Sequence, residues 1–502
     1  MRRGAEEQRI RRAKDLIRSM VDSAAKIPLA LDLVEEGTAA SVEAAAQARV
    51  DRRLPEGVTA KHLYRDVIRI AWPSLVELTL TQLTSMVDLM MVGSLGSVAI
   101  AAVGLTTQPK FLLMTMFMAM NVGATALVAR YKGAGDHKSA DRILRQALML
   151  SFVASVVASV VGYIFAEDMV RFMSSGDPAA VPDAAVYLKI QMIGFVPFAL
   201  TSTITAALRG VGHTRVAMIY NVVANVVNII GNYLLINGHL GFPRLEVAGA
   251  SLATIIGQGA AFVMALLVVL RGEHYFTLRL KDGFAPVKED IKSILNIGLP
   301  AMAEQLLMRV GVIVFFRTVA SLGTVAFATH NIAMNILALS FMSGQAFAVS
   351  ATSLVGQSLG KKRPDMAQAY ANHSRRLGLI AALALAAVFY FFGRQVVALY
   401  TDEQAIITQG GDVLKLVALT QPFQSSQFIL AGALRGAGDT RATAVITFFT
   451  VMLVRPGLAM LHVHYFGWGL LGAWVALVVD QLLRSGLVLW RYYSGKWKTI
   501  RV

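Results

Sequence analysis

The sequence predicts an all-α polytopic membrane protein: twelve transmembrane helices in two pseudo-symmetric six-helix bundles around a central cleft. The first observation is compositional. Of 502 residues, 56% are hydrophobic and 16% charged, mean hydropathy is +0.58, and after about position 67 the charges fall in short clusters between apolar stretches. A soluble core of this size needs a more polar exterior, whereas about 20 apolar residues match a hydrocarbon thickness of roughly 30 Å. The second is the number of such stretches, twelve, at about 67–92, 98–121, 143–165, 184–208, 215–237, 247–270, 293–320, 324–353, 376–400, 412–434, 442–464 and 468–490. They are read as helices because backbone exposed to lipid must satisfy its own hydrogen bonds. The third is a repeat: "ALRGVGHTR" at 207–215 returns as "ALRGAGDTR" at 433–441.

The basic segment 1–62 precedes the first bundle. Within "MRRGAEEQRIRRAKDLIRSM", and just beyond it, Ile10, Ala13, Ile17, Met20 and Ala24 fall near helical spacing beneath a basic face. That pattern suits a helix on an anionic leaflet or a solvated cytoplasmic arm. No apolar stretch of signal-peptide length follows the charges, so a signal peptide is excluded. The net charge of +16 has a topological explanation. One alternating set of loops, with the C-terminal tail, holds 24 Lys and Arg, while the other holds Arg171, Arg244 and Arg394. This asymmetry places both termini in the cytoplasm and makes nucleic-acid binding unnecessary. The absence of Cys removes disulfides and cysteine metal sites.

The repeat extends through both bundles. "IAWPSLVE" (70–77) aligns with "IGLPAMAE" (297–304), placing Pro73 over Pro300 and Glu77 over Glu304, and "VARYKGAGD" (128–136) aligns with "VGQSLGKKR" (355–363), placing Gly133 over Gly360. The N-lobe is then 63–270, the linker 271–292, the C-lobe 293–490 and a cytoplasmic tail 491–502. Six spans per half is an even number, so both halves enter the membrane the same way and the repeat is parallel. The nonapeptide is a tight inner turn between the fourth and fifth span of each half. Gly210, Gly212, Gly436 and Gly438 permit the sharp exit, Thr214 and Thr440 cap the next helix, and Arg209, Arg215, Arg435 and Arg441 sit at headgroup level. Bends are expected at Pro73 and Pro300, which each remove an intrahelical bond.

Ionisable groups within spans are expensive and default to functional candidates. In the first span Glu77 lies one turn past Pro73, and Asp88 stands in "LTSMVDLMMVG" with no basic residue within a helical turn. Asn221, Asn225, Asn228 and Asn232 recur at spacings of four, three and four, forming one polar stripe on the fifth span, for cavity lining or interhelical adhesion. Glu304 and Arg309, five apart, lie about 140° around a helix, so each needs a partner from elsewhere, either in one C-lobe cavity network or on neighbouring helices. Arg455 before Pro456, and Asp480 with Arg484, brace the C-lobe near a membrane face. Glu77, Gln82, Asn225, Glu304, Arg309 and Asn335 are the expected cavity residues, and Gln108 and Gln258 could add hydrogen bonds. Met114, Met116, Met118 and Met120 suit either an adaptable pocket or packing.

"MVDLMMVGSLG" (86–96), "NVVNIIGNYLLINGHLG" (225–241), "GASLAT" (249–254), "SLGTVAFATHNIAMNI" (321–336), "SATSLVGQSLG" (350–360) and both "ALRGxGxTR" copies resemble the multidrug and toxic compound extrusion family over roughly residues 65–492. The resemblance implies export of organic, often cationic, compounds in exchange for H⁺ or Na⁺. It places Asp88 at the family's N-lobe coupling aspartate, and Asn228, Asn232 and Thr254 at its fifth- and sixth-helix ligand positions. Position 232 is Asn where some members carry Asp, and Ser202 and Thr205 stand where fourth-helix Asn residues can occur. One carboxylate fewer weakens a hard-cation site for Na⁺ at Asp88, Asn228, Asn232 and Thr254, while proton coupling through Asp88 survives.

No "GxxxxGK[ST]" phosphate loop is present, so ATP is not the energy source. No nucleophile–base pair or metal-ligand spacing points to an enzyme. The expectation is a secondary antiporter in the cell membrane, monomeric, without a cofactor beyond its coupling ion, whose partners are small organic substrates and the bilayer. The alternatives are a lipid-linked saccharide flippase, which predicts a cavity ringed with Arg where only Arg309 and Arg317 are available, and a membrane-embedded lipid-modifying enzyme, for which the outer loops are too short and plain.

Overall fold

The computed structural model describes residues 58–174, 179–272, 274–279, 281 and 283–500. The helical face read from Ile10 to Ala24 lies outside the described residues. Apolar composition over membrane length has produced helix almost throughout. The first half contains α1 (Ala60–Gly93), α2 (Ser97–Ala134), α3 (His137–Ile164), the short α4 (Ala166–Met173), α5 (Val181–Ile193), α6 (Phe195–Gly210), α7 (Thr214–Asn237) and α8 (Glu246–Arg271). The second contains α9 (Lys288–Ala320), α10 (Thr324–Gly360), α11 (Pro364–Ala398), α12 (Gln404–Gly436), α13 (Thr440–Thr447), α14 (Arg455–Met460) and α15 (Gly469–Tyr493).

Ten of these segments, counting Thr440–Tyr465 as one, are long and apolar enough to cross a membrane, and the α5–α6 pair makes an eleventh. The twelfth is α12, 33 residues long but polar. Its Gln421, Gln424, Ser425, Ser426 and Gln427 are buried within protein, so these polar groups are shielded from lipid. Two stretches read as simple helices depart from that reading. The fourth breaks at Gly194, where α5 and α6 bend by 52°, and a side chain on Gly194 would collide with Ile255. The eleventh passes through π-helical turns at Phe448–Val454 and Leu461–Tyr465 on either side of α14, where Pro456 cannot supply the N–H that an ordinary ladder needs. Helices α1 and α9 are each continuous through Pro73 and Pro300.

Each half packs around two apolar clusters, one toward each end of the helices. Near the repeat turns these centre on Leu127, Leu144 and Leu208 in the first half and on Val355, Leu434 and Trp497 in the second. Toward the opposite end they centre on Phe117, Leu188 and Phe195 and on Val413, Leu414 and Trp474. Large apolar side chains such as Phe172, Ile193, Phe391 and Trp490 stay exposed, as lipid-facing positions should.

The repeat is visible as reciprocal contacts. Gly133 of α2 lies on the Gln357 carbonyl of α10, and Gly360 of α10 lies on the Arg130 carbonyl of α2. Within the lobes, Gly210 lies on the Thr125 carbonyl and Gly436 on the Thr352 carbonyl. At each of these four positions only hydrogen fits, so glycine brings backbone against backbone. Ser353 Oγ and Gln357 Nε2 also donate to the Gly210 carbonyl, at 2.9 and 3.0 Å. Together these contacts seal the halves at the end that carries the repeat turns.

Candidate transport cavity

The repeat turns do more than reverse the chain. Gly212 and Gly438 have φ of +79° and +88°, the left-handed region that favours glycine. Arg209 and Arg435, expected at headgroup level, instead turn inward. Arg209 Nη2 donates to Glu77 Oε1 at 2.8 Å, and Arg435 Nη2 donates to Glu304 Oε1 at 2.9 Å. Thr214 and Thr440 do not cap their helices; their hydroxyls reach back to the carbonyls of Ile70 (3.0 Å) and Ile297 (2.7 Å). Each acid has a further donor, Asn221 Nδ2 on Glu77 Oε1 at 2.5 Å and Thr443 Oγ1 on Glu304 Oε2 at 3.0 Å. The physical reason is burial. Glu77 is 4% exposed and Glu304 5%, and a carboxylate there requires a cation and hydrogen bonds. The two copies differ at their fifth residue, Val211 against Ala437, and at their seventh, His213 against Asp439; Asp439 pairs with Arg491 at 2.7 Å. Burial, with Lys132, His274 and Arg69 nearby, holds the His213 imidazole down to about 4, so it stays neutral at pH 7.

The glutamate–arginine clamps lie at the floor of a cavity of about 970 Å³ that is lined mainly from the N-lobe. Glu77, Asp88, Asn225, Asn228, Thr254 and Gln258 line it, as do Met114 and Met118, while Met116 and Met120 pack against the apolar clusters. Four expected cavity residues do not line it. Gln82 is half-buried elsewhere on α1, and Glu304 sits behind Arg435, which takes the lining position. Asn335 is exposed and donates to the Asn331 carbonyl of its own helix. Arg309 stacks its guanidinium carbon 3.3 Å from the Phe111 ring centroid, joining α9 to α2. Glu304 and Arg309 therefore share no network, since their different helix faces lead to different neighbours.

Asp88 is the centre of a polar cluster formed by α1, α7 and α8. Asn232 Nδ2 donates to Asp88 Oδ1 at 2.5 Å. With its amide nitrogen toward the carboxylate, as charge requires, Asn228 donates to Asp88 Oδ1 at 2.7 Å and accepts from Thr254 Oγ1 at 3.0 Å. Asn232 is fully buried, and its Oδ1 has no partner. The asparagine stripe faces α1 along its length: Asn221 meets Glu77, Asn225 meets Thr81 at 3.4 Å, and Asn228 and Asn232 meet Asp88.

Asp88 is not electrostatically alone. Lys110 of α2 also lines the cavity, close enough for the two charges to interact. Its Nζ donates to Gln191 Oε1 at 2.9 Å. Hydropathy and spacing passed over Lys110, although a cation midway along an apolar stretch is the signal that marked Asp88. Asn121 was also missed; it joins α2 to α6 through Ser202 (2.8 Å) and Thr203 (2.9 Å). In the C-lobe, Asp480 is fully buried between Arg455 (2.5 Å) and Arg484 (2.9 Å). This triad braces α14 against α15 inside the bundle rather than at a membrane face.

Two lobes built on one repeat, sealed against each other at one end around a polar cavity, define a membrane transporter of the two-lobed, twelve-helix class. The MatE family model matches the chain twice, over residues 73–234 and 300–461, once per repeat. The chain belongs to the MatE family and is an efflux transporter, not an enzyme. A probable multidrug resistance protein NorM of Thermotoga maritima is 29% identical over 435 residues, spanning 86% of this chain and 93% of that protein. Multidrug resistance protein MdtK of Yersinia pestis is 29% identical over 392 residues, spanning 78% and 85%. Among solved structures, a MOP superfamily transporter from Pyrococcus furiosus superposes with a TM-score of 0.81 at 23% identity, over 89% of this chain and all of that one. A multidrug resistance MATE transporter in an outward-facing conformation superposes with a TM-score of 0.80 over 89% of this chain.

Proposed function

We propose that the chain is an antiporter of the cell membrane that exports small organic, cationic or amphipathic compounds in exchange for protons, with Asp88 as the coupling group. The observation that carries this reading is the setting of Asp88: a carboxylate on the cavity wall whose hydrogen-bond donors are two amides, with no guanidinium. Glu77, the other lining acid, is held by Arg209. The names of the NorM and MdtK relatives support a multidrug role.

Charge competition supplies the exchange. Ionised Asp88 attracts a cationic group, and a proton taken up on its carboxyl oxygen removes that attraction, so substrate and proton exclude each other. A protonated carboxyl needs an acceptor, and rotation of the Asn232 amide would offer its unpartnered Oδ1. The donor set fits Na⁺ poorly: amide nitrogens rather than oxygens face the carboxylate, and Lys110 adds a like charge nearby, whereas a hard cation favours oxygen and negative charge. With the basic loops in the cytoplasm, the sealed end is the cytoplasmic one, both termini are cytoplasmic, and the cavity belongs to an outward-facing state. The decisive experiment is export from proteoliposomes by wild type and Asp88→Asn under separately imposed proton and Na⁺ gradients. Asp88→Asn, which mimics the protonated acid, is expected to weaken the binding of cationic substrates and to lose proton-driven export. Export at the wild-type rate with the same pH dependence would rule Asp88 out.

A further inference from the structure

We propose that Lys110 is a specificity residue that receives an acidic group of the substrate, so that the cavity takes amphiphiles carrying a carboxylate beside their cationic group. This deepens the reading above and rests on the cavity being the substrate site. The cavity is lined by five charged residues, Glu77, Asp88, Lys110, Arg209 and Arg435. Three of them are committed: Glu77 with Arg209, and Arg435 with Glu304 behind the wall. The charges left to meet a ligand are therefore Asp88 on α1 and Lys110 on α2, one of each sign.

Lys110 is held in place rather than neutralised. Its ammonium makes one hydrogen bond, to the neutral oxygen of Gln191. Gln191 is fixed in turn, its amide nitrogen donating to Ser251 Oγ at 3.1 Å and its Ser251 partner donating to the Tyr187 carbonyl at 2.9 Å. A lysine ammonium carries three donors, and among the described residues no carboxylate forms an ion pair with it. A purely structural link from α2 to Gln191 would need only a neutral donor, without the cost of a cation inside a membrane bundle. A single ammonium pairs with a carboxylate as a point charge and does not demand the planar two-oxygen geometry of an arginine fork. A permanent organic cation is drawn to Asp88 but repelled by Lys110; a substrate with both charges satisfies the two residues at once.

Rhodamine B and its ethyl ester share one delocalised cation and differ by one carboxylate, so they isolate this contact. Equilibrium binding of each dye to the purified full chain in detergent, without any gradient, is measured by fluorescence polarisation. Wild type is expected to bind the free acid roughly tenfold more tightly than the ester, the scale of one charge-assisted hydrogen bond. Lys110→Met should abolish that preference while keeping or improving ester binding, and Lys110→Arg should restore it. Equal affinity of wild type for both dyes, or equal loss of both in Lys110→Met, would overturn the inference and leave the transport reading standing. Failure of both dyes to bind would overturn the cavity as a substrate site, and this inference with it.

Discussion

Adding one methyl group at Gly133 should push the transporter out of the sealed state. Gly133 lies in the last turn of α2, against the Gln357 carbonyl of α10. A Cβ there meets backbone rather than a flexible side chain, so the helices must part. Overpacking of this kind costs about 1–3 kcal/mol. Alanine gains up to about 1 kcal/mol of helix propensity over glycine, but it gains this in both access states, so only the crossing is biased. A net bias of about 2 kcal/mol moves the equilibrium between states roughly thirtyfold. Double electron–electron resonance between spin labels at Lys138 and Lys361, both exposed at the sealed end, should show a longer-distance population in Gly133→Ala. The reciprocal contact predicts the same for Gly360→Ala. An unchanged distance distribution in both variants, with wild-type thermal stability, would refute the view that this crossing holds the seal.

Glu304→Gln should impair export while the protein stays folded, because Arg435 is left at the cavity wall without its charge partner. The cost is about 2 kcal/mol, below the usual range for a buried pair because the Arg435 side chain is 20% exposed; adding Arg435→Gln should recover part of it in a double-mutant cycle of melting temperatures. Asp480→Asn should cost about 3–5 kcal/mol, since it leaves two buried guanidinium groups facing each other, and should lower the melting temperature without changing substrate Kd. Cysteines at Lys361 and Arg244 should be labelled from the cytoplasmic and external sides respectively, and labelling of both from one side would overturn the topology.

Much of the architecture is a local property of the chain. Hydropathy places the spans because a bilayer imposes both length and helicity on any segment that crosses it, and the repeat of "ALRGxGxTR" with its prolines exposes two equivalent halves without reference to any contact. Asp88 is legible for the same reason: an acid within an apolar span stands out whatever surrounds it. Local pattern does not show where a side chain finds its partner. Arg209 and Glu77 are 132 positions apart, as are residues of no consequence to each other, and only helix packing turns a presumed headgroup anchor into a buried clamp. Glu304 and Arg309 show the reverse, neighbours in sequence that packing sends to Arg435 and Phe111. The bend at Gly194 and the polar α12 depend on neighbours as well, one making room for Ile255 and the other hiding five polar side chains from lipid. The sequence by itself determined the class, the halves and one acid within an apolar span, Asp88. The tertiary structure decided which charges neutralise each other, and so left Asp88 and Lys110 facing the cavity, because electrostatic pairing depends on distance in space and not on distance along the chain.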